Sequence, residues 1–309
     1  MVQENSLKKI VVVCGPTGAG KTAVAIDIAE KFNGEIVSAD SVAIYRGLDV
    51  GSAKPTKEQL ARAKHYMIDV VSPFDSFSVS DFERSAIPIV EDIISRGKLP
   101  IVCGGTGFYV NSILYKLSYG NHSASPEIRE KYEEILKEKG KEYLFGLLKE
   151  TDGETAKKLH PNDVVRVVRA LEIYETTGVK KSEIKDELTP RYDFVALTPV
   201  FERSALYSRI DRRVDEMFEN GLEREVVGLL EKGVTVEMQC MQGIGYKETA
   251  RAILNGEEMP LDEIKANSRR YAKRQITFFK RTRNLLPLNA ENSDYSDKII
   301  NSVYDFLNE

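Results

Sequence analysis

The sequence predicts an α/β protein: a parallel sheet flanked by helices, with a helical domain inserted into it. Three observations carry this expectation. A buried apolar strand at the N-terminus runs into a glycine-rich loop and then a helix, a second strand, glycine loop and helix follow near residue 100, and after Ser125 the chain turns charged and helix-forming.

The first strand is KIVVVC, Lys9–Cys14, short, apolar and rich in β-branched residues, as strands buried on both faces are. In Lys21–Lys31 the residues Val24, Ala25, Ile28 and Ala29, with Phe32 beyond, recur at helical spacing. A second strand over residues 35–39 ends in Asp40. Residues 82–96 have helical periodicity, stop at Gly97 and give way to LPIVCGGTG, another strand running into a glycine loop. Strands alternating with helices form parallel sheets, and their ligands sit beyond the carboxyl ends of the strands.

Ser125-Pro126-Glu127 has the layout of an N-cap, a first-turn proline and a helix-start acid. Helices are expected over 126–139, 141–150 and 163–177, with Gly140 and Gly178 as terminators, before a strand at 194–198 returns the chain to the sheet. Residues 1–117 and 191–309 are therefore read as the α/β core with C-terminal helices, and 118–190 as the inserted domain. In the last third, helices are expected over 208–220, 223–232 and 262–282, with a short amphipathic end at 299–307.

A chain of 309 residues can bury a substantial core, and 30% charged beside 42% hydrophobic residues argues against general disorder. No apolar run approaches the roughly 20 residues of a membrane helix, and the N-terminus lacks a signal-peptide layout, so a cytoplasmic protein without a membrane partner is expected. Cys14, Cys103 and Cys240 lie far apart without CxxC spacing, which speaks against a disulfide framework or a zinc site. His65, His122 and His160 lack metal-ligand spacing as well. The net charge of -4 does not point to nucleic acid, but it hides an asymmetry. Between residues 265 and 283 lie Lys265, Arg269, Arg270, Lys273, Arg274, Lys280, Arg281 and Arg283, with no acid among them. Arg270, Lys273, Arg274, Thr277 and Arg281 share one helix face, which reads either as a phosphate surface or as a solvated one.

Gly15-Pro16-Thr17-Gly18-Ala19-Gly20-Lys21-Thr22 satisfies G-x-x-x-x-G-K-S/T between a strand and a helix. Its glycines turn backbone N–H groups inward and the helix N-terminus adds positive potential. Lys21 neutralises phosphate oxygens, and the Thr22 hydroxyl can ligate Mg²⁺. The loop identifies a diphosphate or polyphosphate ligand, not a reaction. Asp40, at the end of the second strand, reaches the same crevice, where it can take a proton or hold metal-bound water; the competing reading is a cap for the residues after Ser41. Gly104 to Gly107 places the Thr106 hydroxyl there too, although a plain strand-to-helix turn would look similar. In the insertion, His160-Pro161-Asn162-Asp163 precedes a helix bearing Arg166 and Arg169, which could hold a phosphate backbone or pair with Glu172 or Glu175.

Along nearly its full length the sequence resembles the tRNA dimethylallyltransferase family of bacterial type. The matching stretches are GPTGAGKT, SADS with IYRGLDVGSAKPT, HYMIDV, GGTGFYV, HPNDVVRVVRALE, RIDRRVDEMFENGL, GIGYKE and RRYAKRQITFF. The resemblance implies a P-loop NTPase-like core with an inserted helical domain, acting as a monomer with Mg²⁺ as cofactor. The activity it implies is transfer of a dimethylallyl group from dimethylallyl diphosphate to N6 of adenosine 37, beside the anticodon, in tRNAs reading codons that begin with U. Diphosphate is released.

By the same resemblance Gly15 to Thr22 hold the donor, and Lys21, Thr106 and Arg213 hold or protonate its diphosphate. Thr22 serves the metal and Asp40 is base for the adenine amine. The anticodon stem-loop would lie along Asp40, Ser41, Val42, Ala43, Thr106, Arg129, Val165, Arg166, Val167, Val168, Arg169, the stretch 237–242 with Gln242, and the helix 268–275 with Arg269, Arg270, Lys273, Arg274 and Gln275. Two departures stand out: Ala43 where the family has Gln, and Phe278 where it has Trp. Two other activities remain open, an adenylate isopentenyltransferase acting on a free nucleotide and a P-loop kinase of a small metabolite.

Overall fold

Six short strands pair into one all-parallel sheet in the computed structural model, which describes residues 7–117, 126–184 and 188–309. The chain begins with β1 (Lys9–Cys14), α1 (Lys21–Lys31) and β2 (Gly34–Ser38), followed by α2 (Lys57–Arg62), the two-residue β3 (His65–Tyr66) and α3 (Val79–Ser95). Helix α3 starts earlier than its apolar periodicity indicates. A reciprocal capping box nucleates it: Asp81 N–H donates to the Ser78 hydroxyl at 3.2 Å, and Ser78 N–H donates to the Asp81 carboxylate at 2.9 Å. Strand β4 (Leu99–Gly104) and α4 (Gly107–Leu114) then lead to Tyr115.

There the chain leaves the sheet. Two compact units result, one running up to Tyr115 and again from Pro190, the other comprising Lys116–Thr189. The second contains α5 (Pro126–Thr151), α6 (Gly153–Ala156) and α7 (Val164–Thr177). Gly140, at φ 79°, breaks α5 into the two helices expected from the sequence, and Gly178 ends α7 in the left-handed conformation. The unit has its own core of Tyr132, Leu144, Phe145, Leu148, Val167 and Leu171. The cap expected at Ser125 and the residue His122 lie outside the described residues.

The first unit resumes with β5 (Asp193–Val200), α8 (Arg203–Glu219), α9 (Leu222–Glu231), α10 (Tyr246–Asn255), α11 (Leu261–Phe279), β6 (Leu285–Asn289) and α12 (Tyr295–Asn308). Strand order is β3-β2-β4-β1-β5-β6. Val11 pairs with Ile101 of β4 on one side and with Val195 of β5 on the other, so β1 is central and its residues 10–14 are wholly buried. Helices α1 and α12 cover one face through Ala25, Ile28, Ile299, Val303 and Phe306, joined to Val11, Val13 and Ile101 of the sheet. The chain is thus a mixed α/β protein with a parallel sheet, flanking helices and an inserted helical region. No helix among the described residues is long and apolar enough to cross a membrane.

Candidate active site

The phosphate loop joins β1 to α1 at the carboxyl edge of the sheet. Gly18 sits at φ 77°, and a Cβ there would come within 2.9 Å of the Ile210 side chain, so glycine alone lets the loop seat under α8. Arg209 Nε donates to the Gly18 carbonyl at 2.9 Å, and the Lys21 ammonium folds back to donate to the Pro16 carbonyl at 2.8 Å. Burial lowers the pKa of Lys21 below that of an ordinary lysine, with the neighbouring Arg213 cation adding to the effect and Asp40 opposing it.

Strands β2 and β4 bring up the other two chemical groups. One Asp40 carboxylate oxygen, Oδ1, accepts from Val42 N–H at 2.8 Å and Ala43 N–H at 3.0 Å. The capping expected as the alternative is therefore real, although it serves a turn rather than a helix, and the same carboxylate also lines the crevice. Thr106 Oγ1 accepts from Ser41 N–H at 3.0 Å and lies 3.2 Å from the Ser41 hydroxyl, stitching the end of β4 to the end of β2. Arg213, on α8, donates through Nη2 to the Ser52 carbonyl at 3.2 Å. Its Nε is buried without a partner, and burial lowers the guanidinium pKa. A buried cation with an unsatisfied donor is a group built for an anion.

Two cavities open off these residues. The inner one, about 140 Å³, is lined by Thr17, Gly18, Gly20, Lys21 and Thr22, with Ser38, Ala43 and Gln275. Gly15, Pro16 and Ala19 are buried behind it as backbone support. The outer one, about 420 Å³, is lined by Ser41, Val42, Thr106, Gln242, Ser268 and Arg274. Thr17, Asp40, Ser52, Arg213 and Tyr271 face both.

The structure redirects several residues expected on an RNA surface. Gln275 is only 5% exposed, and its amide is spent bracing two loops: Oε1 accepts from Thr17 N–H at 2.8 Å and Nε2 donates to the Gly105 carbonyl at 2.9 Å. Val167 and Val168 belong to the core of the helical unit, so their side chains are not presented outward. The acids missing from the basic run are supplied by α8, where Asp211 pairs with Arg269 and Asp215 with Lys265 at 2.6 Å. Lys273 is exposed, Arg270 donates to Asn267 at 3.1 Å, and Arg274 lies on the outer cavity with its guanidinium 5.6 Å from the Tyr271 ring centre. In the helical unit Arg169 pairs with the buried Glu172 at 2.7 Å, Arg129 approaches the same carboxylate at 3.6 Å, and Arg166 lies 4.0 Å from Asp163. Pairing with Glu172 is the ion-pair alternative named for Arg169. Val165 is strongly exposed.

Four contributors had no role of their own assigned from sequence, although Tyr271 falls within the helix 268–275 expected along the RNA. Tyr271, whose phenol pKa is raised by burial and by the charge of Asp40, stands between the two cavities; an aromatic three residues before Arg274 was the available signal. Arg209 braces the phosphate loop, and Ser52 supplies the carbonyl that orients Arg213. Glu225 of α9 holds the loop carrying Ser52 by accepting from the N–H groups of Asp49 at 2.9 Å, Val50 at 2.8 Å and Gly51 at 3.3 Å. The Tyr246 hydroxyl donates to the same carboxylate at 2.6 Å. No local pattern announces contacts across such sequence distances.

With a phosphate loop at the head of its central strand and a second cavity opening from the same wall, the chain falls in the class of phosphate-loop α/β enzymes. Family comparison narrows the class: residues 43–282 match the IPP transferase family and residues 8–76 the isopentenyl transferase family. The chain belongs to the IPP transferase family. It is 44% identical over 308 residues to the tRNA dimethylallyltransferase of Acetivibrio thermocellus, covering 97% of this chain and 98% of that one. A Thermoanaerobacter protein of the same name is 47% identical over 280 residues, 88% and 89% of the two chains. Among solved structures, a tRNA isopentenylpyrophosphate transferase from Bacillus halodurans superposes with TM-score 0.73 at 37% identity over 97% of both chains. A eukaryotic dimethylallyltransferase acting on tRNA gives 0.85 at 30% identity over 97% of this chain and 80% of the other.

Proposed function

We propose that the protein transfers the dimethylallyl group of dimethylallyl diphosphate to N6 of an adenine in tRNA, specifically adenosine 37 in tRNAs reading codons that begin with U. The carrying observation is that an inner, phosphate-loop cavity and an outer cavity share a wall containing Asp40 and Arg213. A donor in the inner cavity and an adenine in the outer one would react across that wall.

In this reading Lys21, the Arg213 guanidinium and the loop amides neutralise the diphosphate as the allylic C–O bond breaks. The adenine nitrogen forms the new bond to the same carbon, and Asp40 receives the proton the amine sheds. Thr106 and the Ser41 amide keep the Asp40 turn in place. Oxygen donors from Thr22, Ser38 and Asp40 line the inner cavity, the hard-ligand set that suits Mg²⁺. Among the described residues no group of three or more His, Cys, Asp or Glu could hold a metal, and Mg²⁺ held mainly by substrate phosphates and water needs none. Bound there, the ion would offset diphosphate charge. A target base must leave its stack to enter, and phosphate contacts from Arg270, Lys273 and Arg274 offset that cost.

Incubation with unmodified tRNA, labelled dimethylallyl diphosphate and Mg²⁺ should place label on adenine 37. Labelling of free AMP, ADP or ATP in preference to tRNA would overturn the acceptor assignment, and consumption of ATP without a prenyl donor would overturn the reaction class.

A further inference from the structure

Phe108 is the most exposed phenylalanine among the described residues, at 63%. It stands at the start of α4, two positions after Thr106, which lines the outer cavity. Its ring meets Phe278 of α11 edge to face, centres 5.5 Å apart, and Phe278 in turn meets the buried Phe279 ring at 5.5 Å. The exposed ring is therefore held from behind by an aromatic stack that reaches the core. Fixing an apolar ring rigidly in water beside a cavity mouth gains little for stability.

Helix α11 shows what surrounds it. Tyr271, Arg274 and Phe278 follow one another at spacings of three and four, so they form one stripe. Tyr271 and Arg274 line the outer cavity, and Arg274 lies over the Tyr271 ring. Phe278 continues the stripe away from the cavity towards Phe108, with Arg281 in the turn beyond. Rings and cations alternating along a path from a cavity mouth are the pattern that carries single-stranded nucleic acid: cations track the backbone while rings take the faces of successive bases.

We infer that Phe108 is a stacking platform for the nucleotide adjoining the target adenine, seated on Phe278, with Arg274 and Arg281 along its backbone. The inference rests on the tRNA-prenylating reading above and adds to it a base-stacking site outside the two cavities. Once the target base is displaced from the RNA stack, its neighbour loses a stacking face, and the Phe108 ring replaces it. The platform reads an exposed base face and no base edge, so it serves any neighbouring base.

The test compares the unsubstituted chain with Phe108→Ala and Phe108→Tyr, using an unmodified tRNA transcript and the same transcript with an abasic nucleotide beside the target. Phe108→Ala should weaken binding of the intact transcript by about 5- to 150-fold, the range of one base on one aromatic ring. The KM for dimethylallyl diphosphate and the melting temperature should stay put, because the removed ring is mostly exposed. Phe108→Tyr should restore binding, and the abasic transcript should bind parent and Phe108→Ala alike. Tight binding of the intact transcript by Phe108→Ala, or loss of binding by Phe108→Tyr equal to that of Phe108→Ala, would overturn the platform while leaving the enzymatic reading intact. Failure of the unsubstituted chain to prenylate tRNA would overturn both.

Discussion

At Asp40 one oxygen, Oδ1, is committed to the turn over Val42 and Ala43, which leaves Oδ2 for the proton transfer proposed above. This makes Asp40→Asn a clean test, since an amide oxygen still accepts both N–H bonds but cannot take a proton at neutral pH. Single-turnover prenylation should fall by about 10²- to 10⁴-fold while donor binding and melting temperature remain near those of the parent. Lys21 gives a pH signature of opposite character. Its buried ammonium loses its proton more readily than a free lysine, so donor affinity should decline on the alkaline side, with an inflection below the ordinary value of 10.5. A profile of donor KM against pH checks this, and Lys21→Arg should push the decline to higher pH. At this scale the groups carried by contiguous motifs, Lys21, Thr22, Asp40 and Thr106, were readable from sequence, because strand ends and glycine loops have local signatures. Tyr271, Arg209 and Ser52 were not, since their meaning depends on partners from distant segments.

Among elements, α11 is the one whose role changed most between sequence and structure. Its basic residues suggested a surface, yet Gln275 clamps the phosphate loop to the Gly105 loop from within. The signal was invisible because a glutamine in a polar helix looks solvated until the fold buries it. Gln275→Ala would leave the Thr17 N–H and the Gly105 carbonyl without their partner, at about 1–3 kcal/mol for each buried group. The expected outcome is a lower melting temperature and a donor KM raised about tenfold, with tRNA affinity unchanged; equal losses for donor and tRNA would show a general collapse instead. On β2, Glu35 is nearly fully buried and accepts from Arg96, from Lys98 at 2.7 Å and from the Tyr66 hydroxyl at 2.7 Å. The Arg96 guanidinium, followed by Lys98 and Tyr66, holds its carboxyl well below the usual range. A depressed carboxyl contributes stability that is complete above about pH 4.3 and fades as pH falls towards the folded value. Glu35→Ala should therefore cost about 2 kcal/mol at neutral pH, discounted for its partly exposed partners, and flatten the acid limb of the unfolding curve. Short elements were the hardest to foresee: β3 has two residues, and β6 carries Pro287 on an outer strand, where a missing donor is tolerated.

For the whole molecule, the sheet unit's chain leaves and returns at neighbouring points, since Tyr115 and Pro190 form an antiparallel bridge and Arg191 N–H donates to the Leu114 carbonyl at 2.8 Å. The sheet unit thus has an internal closure that does not depend on what lies between. Replacing residues 116–189 by a short glycine-serine loop should leave a folded protein, because closing a shorter loop costs little. That protein should bind dimethylallyl diphosphate like the parent and bind tRNA more weakly, as equilibrium titrations with each would report. The sheet-plus-insertion plan was legible from texture alone, because charged helix-forming sequence contrasts with buried parallel strands. The strand order was not, since nothing local says which strands flank β1.

That order has a consequence for synthesis. One neighbour of β1 is β4, made soon after it, but the other is β5, which begins at Asp193 on the far side of the helical unit. While roughly 90 residues emerge, at about 5–20 per second, the nascent chain carries its most apolar strand with one hydrogen-bonding edge bare for about 4–18 seconds. The helical unit should complete itself as that interval ends, and the sheet unit, which needs β5, should close after it.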